Sequence, residues 1–297
     1  MGAIDEIQAA IQQVATTAGP AVVGIGAHRR GSGVVVADGR VLTNAHNLRG
    51  PTVTVRFADG RTDRGTVLGT DMDGDLAVIG VETTGVTPLE WGDPAVLGVG
   101  AIVFAAAATS GGPARVTFGT VSALSRAFRG PGGRRIAGSL EHTAPLAPGS
   151  SGGPVLDAQA RLLGLDTNRL GEGFYLALPA DASLRERVAA LARGETRERP
   201  RLGVAIAPAF VAARLRRSVG LPDRDGVLVR GVEADSPAAR AGLAEGDLIV
   251  AVGGRPVTDG DELAEAIEAA GASYEIGIVR GAEERTLTVG DPATGAA

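Results

Sequence analysis

Three side chains of complementary chemistry, His46, Asp75 and Ser151, lie far apart in the sequence. A serine hydroxyl is a weak nucleophile until a base takes its proton. An imidazole can be that base, and a carboxylate can fix its tautomer and stabilise its charged form. The three residue types therefore predict nucleophilic acyl transfer, provided that the fold brings them together.

Ser151 is the candidate nucleophile because it lies in the segment GSSGGP, residues 149–154. Small neighbours let a substrate approach the hydroxyl closely, and glycine supplies the backbone angles of a sharp turn. The N–H groups of Gly149 and Ser151 are the expected donors to the carbonyl oxygen under attack. The other interpretation of this segment is an ordinary loop rich in glycine and serine.

His46 is the candidate base among the three histidines of the chain. It directly follows the apolar run of a predicted strand, so it is expected at the end of that strand. His28 and His142 are interpreted as packed or surface residues without a part in the chemistry.

Asp75 is the candidate carboxylate because it immediately precedes the run LAVI, which has the pattern of a buried strand. This position predicts that its side chain faces inward. The neighbouring acids Asp71 and Asp73 are predicted to lie in a solvated turn.

The elements that must position these residues are predicted to be mainly β-strands. From residue 21 to about residue 178, short apolar runs alternate with turn signals such as Asp38–Gly39, a strong hairpin signal. Glycine accounts for 45 of the 297 residues, which fits many tight turns. The pattern indicates an antiparallel barrel or sandwich. A short amphipathic helix precedes it, with the apolar residues Ile4, Ile7, Ile11 and Val14.

The length of the chain is sufficient for two domains. A helix that begins at Ser183, with Glu186 completing a capping box, is predicted to close the first domain, residues 1–193. The charged segment GETRERPR, residues 194–201, is the predicted linker. The second domain, residues 202–291, combines short strand patterns with one helix capped by Asp259.

Composition excludes several kinds of site. The chain has no cysteine, which excludes disulfides, thiolate metal sites and cysteine nucleophiles. Its net charge is −5, and no basic patch with interleaved aromatic residues indicates a nucleic-acid partner. No apolar run reaches the ~18 residues of a membrane span, and no cofactor or metal is expected.

Three segments together resemble the catalytic segments of the HtrA/Deg family of serine proteases: GSGVVVADGRVLTNAH, GTDMDGDLAVI and APLAPGSSGGPVLD. Their order His, Asp, Ser matches the chymotrypsin-like arrangement rather than that of α/β-hydrolases or subtilisins. The resemblance implies two antiparallel β-barrels, with His46 and Asp75 in the first barrel, Ser151 in the second, and substrate in the cleft between them. One departure from the family pattern is Asn47, where an apolar residue usually follows the histidine.

By the same resemblance, the floor of the primary specificity pocket lies near Pro145 and Leu146, and Asn168, Arg169 and Gly173 form its walls. No acid stands at the predicted floor, and an unpaired cation is costly to bury. Cleavage is therefore expected after small or medium aliphatic residues rather than after Lys or Arg.

The second domain resembles the PDZ domain of this family through the segments RLGVAI, residues 201–206, and GVLVRGVEADSPAARAGLAEGDLIVAVGGRPV, residues 226–257. The fold class is therefore expected to be mainly β, a chymotrypsin-like double antiparallel β-barrel followed by a small α+β PDZ domain. PDZ domains bind an extended peptide as an added strand. Peptide-binding candidates, by the resemblance, are Leu202, Gly203, Val204, Leu263 and Ile267. The other interpretation of the last two is that they only pack in the core.

The leading hypothesis is a serine endopeptidase that cleaves unfolded or misfolded polypeptides in protein quality control and stress response, with a PDZ domain that binds C-terminal peptides. The alternatives are a catalytically silent, chaperone-like binding protein and an esterase. The resemblance also implies homo-oligomers based on trimers. Residues 1–10 show no signal-peptide pattern. The expected location is the cytoplasm, or the periplasm or cell envelope if a targeting segment was removed.

Overall fold

The computed structural model describes residues 2–26, 31–110, 112–130, 135–171, 173–195, 201–218, 220 and 224–290. The chain divides into two compact units, Met1–Arg197 and Glu198–Ala297. His28, residues 196–200 of the predicted linker and residue 291 lie outside the described residues. The predicted domain bounds, 1–193 and 202–291, stay a prediction.

The first unit consists of two closed antiparallel barrels, as predicted. The first barrel contains β1 (Val22–Ile25), β2 (Gly31–Ala37), β3 (Arg40–Thr43), β4 (Thr52–Arg56), β5 (Thr62–Asp71) and β6 (Leu76–Gly80). The second contains β7 (Ile102–Ala107), β8 (Arg115–Arg129), β9 (Arg135–His142), β10 (Pro154–Leu156), β11 (Leu162–Arg169) and β12 (Tyr175–Pro179). In both barrels, apolar side chains that face inward form the core.

Local turn chemistry sets the register of the strands that carry the site. β2 and β3 are joined by Asp38–Gly39, and Gly39 has φ +68°, the left-handed conformation that such two-residue turns require. The predicted hairpin is therefore confirmed. In β11 the register against β12 shifts between Asp166 and Asn168. Such a bulge redirects a side chain out of the regular alternation, here that of Thr167.

The amino-terminal helix α1 (Ala3–Ala18) is longer than its sequence pattern predicts. Its apolar side chains do not all have the same surroundings. Val14 and Ala18 are fully buried in the core of the first unit, whereas Ile4 is 81% exposed. The predicted apolar stripe therefore docks on its own domain through its carboxyl-terminal half.

Helix α2 (Ala182–Ala192) packs on the first barrel through Leu184, Val188 and Leu191, all buried. Its N-cap is Asp181, whose side chain accepts from the Leu184 N–H at 2.8 Å. The prediction that Ser183 starts this helix is wrong. A carboxylate two residues earlier caps the first turn as well as a serine does, which leaves Ser183 inside the helix.

The second unit is a six-stranded sheet with helices on it. Its strands are β13 (Val204–Ile206), β14 (Val227–Val232), β15 (Leu248–Val252), β16 (Arg255–Pro256), β17 (Tyr274–Arg280) and β18 (Glu283–Val289). Its helices are α3 (Ala209–Ser218), α4 (Pro237–Arg240) and α5 (Gly260–Ala270). Asp259 caps α5 as predicted. Among the described residues, no helix has both the length and the apolar character to cross a membrane.

Candidate active site

His46 lies directly after β3, in a short 3₁₀ helix, Ala45–Asn47. Its side chain is one-third exposed, at 33%. The Nδ1 atom lies 2.9 Å from Asp75 Oδ2 and 3.0 Å from Asp75 Oδ1. Because an ionised carboxylate only accepts hydrogen bonds, Nδ1 carries the ring proton and Nε2 keeps a lone pair. The ring is therefore held in the tautomer that can act as a general base.

Asp75 lies in the turn between β5 and β6 and faces inward, with 1% of its side chain exposed. Its φ of +52° is a left-handed conformation that aspartate adopts more readily than most residues. Besides the imidazole, its carboxylate accepts from the His46 backbone N–H at 3.2 Å and from Thr167 Oγ1 at 2.5 Å. Such donors offset the hydration that a carboxylate loses when it is buried.

Asp71 is buried rather than solvated, so its predicted place in a solvated turn is wrong. Its Oδ2 lies 2.9 Å from Arg187 Nη2, and its Oδ1 accepts from the Gly74 N–H at 2.8 Å. Arg187 belongs to α2, far along the chain, so the local sequence around Asp71 gave no sign of this cation. The pair joins α2 to the turn that carries Asp75.

Ser151 lies in the loop between β9 and β10. Its Oγ donates to the Thr167 carbonyl at 3.2 Å, and in the described part of the chain it makes no hydrogen bond to His46. The hydrogen bond between a nucleophile and its base often forms only when substrate binds. Thr167 already connects the three residues, because its carbonyl contacts Ser151 and its hydroxyl contacts Asp75, the partner of His46.

The backbone around Ser151 leaves two N–H groups unused. Among the described residues, neither the Gly149 N–H nor the Ser151 N–H has an acceptor. Gly149 has φ +88°, which only glycine adopts without strain. Two such donors beside a hydroxyl can stabilise the negative oxygen of a tetrahedral intermediate.

The carbonyl groups of the same loop are held by the first barrel. Ser32 Oγ donates to the Gly149 carbonyl at 3.0 Å, and the Ser32 N–H donates to the Ser151 carbonyl at 2.8 Å. Asn47 Nδ2 donates to the Ser151 carbonyl as well, at 2.9 Å. These contacts fix the Gly149–Ser150 and Ser151–Gly152 peptide groups. The peptide group that carries the Ser151 N–H is held as well, because the Ser150 carbonyl accepts from the Gly153 N–H at 2.8 Å.

Gly152 allows this close approach of the two barrels, and Gly153 allows a close approach to β7 within the second barrel. A Cβ at Gly152 would lie 2.2 Å from the Ser32 carbonyl oxygen, and one at Gly153 would lie 2.2 Å from the Ala106 carbonyl oxygen. Real Cβ contacts are never that short, so the segment after Ser151 requires glycine at both positions.

A cavity of about 200 Å³ adjoins Ser151. Its lining includes Leu146, Asn168 and Arg169, three of the five predicted pocket residues. Pro145 and Gly173 are not in the lining. The loop brings residues 146–151 to the cavity, whereas the Pro145 carbonyl is held outside it by Thr117 Oγ1 at 2.8 Å, and Gly173 is an exposed turn residue.

The cavity wall also contains an acid that the sequence analysis missed, Asp166. Its Oδ1 lies 2.7 Å from Nε2 of His142, which is fully buried and thus packed, as predicted. Burial raises the pKa of the Asp166 carboxyl, and the neighbouring imidazole opposes part of that rise. Since His142 shields it, this acid is no free anion for a cationic substrate.

Comparison with known proteins follows the division into two units. Residues 31–165 match the family model of a trypsin-like peptidase domain, and residues 228–280 match that of a PDZ domain. A putative serine protease, HhoA, from Synechocystis sp. is 35% identical over 280 residues, which cover 88% of this chain and 70% of the relative. The chain belongs to the HtrA/Deg family of serine proteases. It is therefore a serine protease with a PDZ domain.

Other relatives of this HtrA/Deg protease are longer than the chain. A probable periplasmic serine endoprotease, DegP-like, from Halomonas elongata is 32% identical over 88% of this chain and 56% of its own length. Mitochondrial serine protease HTRA2 from Bos taurus is 32% identical over 87% of this chain and 59% of its own length. Among solved structures, the HtrA-type protease AlgW with decapeptide has a TM-score of 0.75 at 25% identity, covering 94% of this chain and 97% of that one.

In the PDZ domain of this HtrA/Deg protease, Leu202 and Gly203 precede β13, and Val204 is its first residue. β13 lies at the edge of the sheet, next to β14. Leu263 and Ile267 are 5% and 4% exposed and belong to the core of this unit. They therefore have little surface left for a ligand, and their predicted place in a peptide groove stays a prediction.

Sequence reasoning missed the groups that support the site. Thr167 and Ser32 act through hydrogen bonds to residues distant in the chain, and no local pattern marks them. The GSG segment around Ser32 was part of the family resemblance, and Asn47 stood out as a departure from it. These were the available signals.

Proposed function

We propose that this HtrA/Deg protease hydrolyses peptide bonds by acyl transfer at Ser151, with His46 as general base and acid and Asp75 as the carboxylate that orients it. One observation carries the proposal: the buried Asp75 carboxylate holds His46 Nδ1–H at 2.9 Å, while Thr167 ties Asp75 to Ser151. This leaves His46 Nε2 as the proton acceptor.

In the first half of the reaction, Ser151 Oγ turns from the Thr167 carbonyl toward His46 Nε2 and attacks the substrate carbonyl carbon. The hydroxyl proton passes to Nε2, and the new oxyanion accepts from the N–H groups of Gly149 and Ser151. The C–N bond then breaks, and the amine leaves with the proton from Nε2. An ester on Ser151 remains.

In the second half, a water molecule attacks the ester and gives its proton to His46 Nε2. The tetrahedral intermediate collapses, the C–O bond to Ser151 breaks, and the proton returns to Ser151 Oγ. The enzyme is thereby restored, with a carboxylic acid as the second product.

The substrate is proposed to be unfolded polypeptide, cleaved after small or medium aliphatic residues. A cavity of about 200 Å³ suits a side chain of that size. Its one acid, Asp166, is paired with His142, and Arg169 in the lining disfavours a second cation. Cleavage mapping on an unfolded protein tests this, and cleavage mainly after Lys or Arg contradicts it.

Labelling with a fluorophosphonate probe tests the catalytic assignment. The parent is expected to be labelled at Ser151 and to degrade casein. The variant Ser151→Ala is expected to lose both by orders of magnitude. A Ser151→Ala variant that cleaves casein like the parent would overturn the assignment. A parent that is not labelled but binds peptides would instead support the silent binding protein, which the relatives do not favour.

The PDZ domain is proposed to bind the carboxyl terminus of a peptide as a strand added to β13, with Leu202, Gly203 and Val204 around the terminal carboxylate. The exposed edge of β13 supports this mode. Titration with a hydrophobic peptide, free or amidated at its carboxyl terminus, tests it. Equal affinity for both forms would exclude the carboxylate contact.

Assembly into trimers and a place in the cell envelope are further proposals, supported by family membership and by the relatives that are named as probable periplasmic proteases. The exposed Ile4 of α1 offers apolar surface to a second copy. Light scattering measures the assembly state, and cell fractionation measures the location. A monomer at micromolar concentration would contradict the trimer.

A further inference from the structure

A second histidine–aspartate pair adjoins the serine loop, defined as residues 143–153 between β9 and β10. His142, the last residue of β9, has its Nε2 2.7 Å from Asp166 Oδ1, and the two side chains are 0% and 2% exposed. The His142 ring stacks on Tyr175 with the ring centroids 5.7 Å apart. A buried polar pair of this kind is weak evidence for stability, because its desolvation offsets much of the attraction.

The hydrogen bonds around His142 fix its tautomer. The Ala144 backbone N–H donates to His142 Nδ1 at 3.2 Å, so this nitrogen is an acceptor. A neutral imidazole with Nδ1 as acceptor carries its proton on Nε2. The ring therefore accepts from the segment that leads into the serine loop and donates to Asp166 on β11.

The backbone of Asp166 is hydrogen-bonded to the serine loop. Its carbonyl accepts from the Gly152 N–H at 2.7 Å, and its N–H donates to the Gly153 carbonyl at 2.8 Å. The next residue, Thr167, holds the Asp75 carboxylate and accepts from Ser151 Oγ. The dipeptide Asp166–Thr167 of β11 thus contacts the serine loop, Ser151 itself and Asp75.

The bulge in β11 makes this dipeptide dependent on its side chains. The regular register against β12 is interrupted between Asp166 and Asn168, so the strand ladder does not by itself fix the direction of Thr167. Asp166 Oδ1 is held by His142, and Oδ2 has no partner among the described residues. Within the described part of the chain, the imidazole is therefore the one hydrogen-bond partner of this carboxyl.

We propose that His142 and Asp166 are positioning residues for peptide hydrolysis. The neutral imidazole bridges Ala144 and Asp166, and this bridge holds Thr167 in the direction from which it orders Asp75 and Ser151. The inference rests on the proposed function of the triad. It assigns a reaction-supporting role to a pair that lies outside the triad and does not touch the scissile bond.

Three variants separate positioning from stability. His142→Ala removes the hydrogen bond and strands the buried carboxylate. Asp166→Asn keeps an acceptor for Nε2–H but removes the charge. The double variant His142→Ala/Asp166→Asn removes the hydrogen bond without stranding a charge. Thermal melting and the rate of fluorophosphonate labelling are measured for the full chain in each case.

The labelling rate is expected to depend on whether His142 can donate its hydrogen bond to the side chain at position 166. Asp166→Asn should keep at least a third of the parent's rate, while both variants without His142 should lose tenfold or more. For a peptide substrate the loss should fall on kcat, with KM changed by less than threefold. The melting temperature should depend instead on whether a buried carboxylate is left without a partner. It should be lowest in His142→Ala and return toward the parent's value in the double variant.

The control is Glu141→Gln, a neighbour on β9 whose carboxylate contacts Ser122 and Arg126 rather than the serine loop. It should label like the parent. If the double variant labels like the parent, or if labelling follows melting temperature across the series, the positioning role is wrong. If His142→Ala does not fold, the double variant carries the comparison. Labelling that persists in Ser151→Ala would instead overturn the proposed function itself.

Discussion

Single residues around Asp75 decide how well His46 is oriented. The carboxylate accepts three hydrogen bonds, from His46 Nδ1, the His46 N–H and Thr167 Oγ1. Two of these come from the residue that it orients, and the third comes from the opposite barrel. Thr167 is thus the group that fixes the carboxylate from outside the His46–Asp75 pair. We expect the hydroxyl of Thr167 to contribute more to this orientation than the volume of its side chain, because its acceptor is a carboxylate.

Removal of this hydroxyl is expected to slow catalysis. A hydrogen bond to a charged group contributes about 1.5–3 kcal/mol, so Thr167→Ala should lower kcat about tenfold or more. Thr167→Ser keeps the hydroxyl and is the matched control, expected within about threefold of the parent. Steady-state kinetics on a peptide substrate measure both. Equal losses in the two variants would mean that packing, not the hydrogen bond, is what Thr167 contributes.

The Asp166 carboxyl is expected to make stability depend on pH. Burial raises its pKa from the ordinary value of 3.8. A raised folded-state pKa gives stability that is complete below the unfolded pKa and is lost as the pH rises through the folded one. Asp166→Asn has no such loss. The melting temperature of Asp166→Asn, relative to that of the parent, should therefore increase as the pH rises from about 3.8.

Thermal melts in steps from acid to neutral pH measure this difference. Glu141→Gln serves as the control for removal of a carboxylate from the same barrel. A difference between Asp166→Asn and the parent that stays constant with pH would show that the carboxyl does not titrate across this range.

At the scale of elements, β2 and the serine loop form one unit of structure. Ser32 accepts from the Ala108 N–H and donates to the Gly149 carbonyl, both at 3.0 Å. The strand thereby fixes the Gly149–Ser150 peptide group, which lies in the chain between the two candidate oxyanion donors, the N–H groups of Gly149 and Ser151. An oxyanion donor acts only if it points at the developing charge, so this strand is part of what makes the loop chemically useful.

Ser32→Ala is therefore expected to slow fluorophosphonate labelling of Ser151 about tenfold, which is less than the ~10²–10³ that a whole oxyanion donor contributes. Ser139→Ala is the matched control, because Ser139 is also fully buried and donates to a backbone carbonyl, that of Arg126, at 2.8 Å. Ser32→Ala loses two buried hydrogen bonds and Ser139→Ala loses one, but only Ser32 contacts the loop. Similar labelling rates in the two would argue against a role for Ser32 in the oxyanion site.

Elements whose cause is local were predictable from the sequence. The Asp38–Gly39 hairpin and the Asp259 cap depend only on neighbouring residues, so the local sequence was enough to predict both. The triad could be selected because its order matches a known family. Features that depend on distant partners could not be predicted. Asp71 is buried because Arg187 reaches it, and Thr167 faces Asp75 where a bulge interrupts β11.

On the scale of the whole molecule, each of the two units has its own apolar core. The first unit is built around the two barrels, and the second around a cluster that includes Leu202, Leu263 and Ile267. Units with separate cores can be perturbed one at a time. A substitution that damages peptide binding in the PDZ domain should leave the labelling of Ser151 in the absence of peptide as it is.

Gly203→Ala is the substitution expected to do this. Gly203 has φ +81°, and a Cβ there would lie 2.3 Å from Ser236 Cβ. The left-handed conformation alone costs about 1–2 kcal/mol for a residue with a Cβ, and the clash forces the loop before β13 to move. Affinity for a free-carboxylate peptide, measured by fluorescence anisotropy, should fall at least tenfold.

The matched control for this loop is Gly271→Ala, in the same unit at the end of α5. Gly271 also has a positive φ, +79°, but a Cβ there meets nothing within 4 Å, so Gly271→Ala carries a conformational cost without a clash. Because both variants place a Cβ at a positive φ in the same unit, a loss of affinity confined to Gly203→Ala assigns the binding to that loop. If both variants lose affinity equally, the effect comes from reduced stability of the PDZ domain, and the peptide site must be sought elsewhere on its surface.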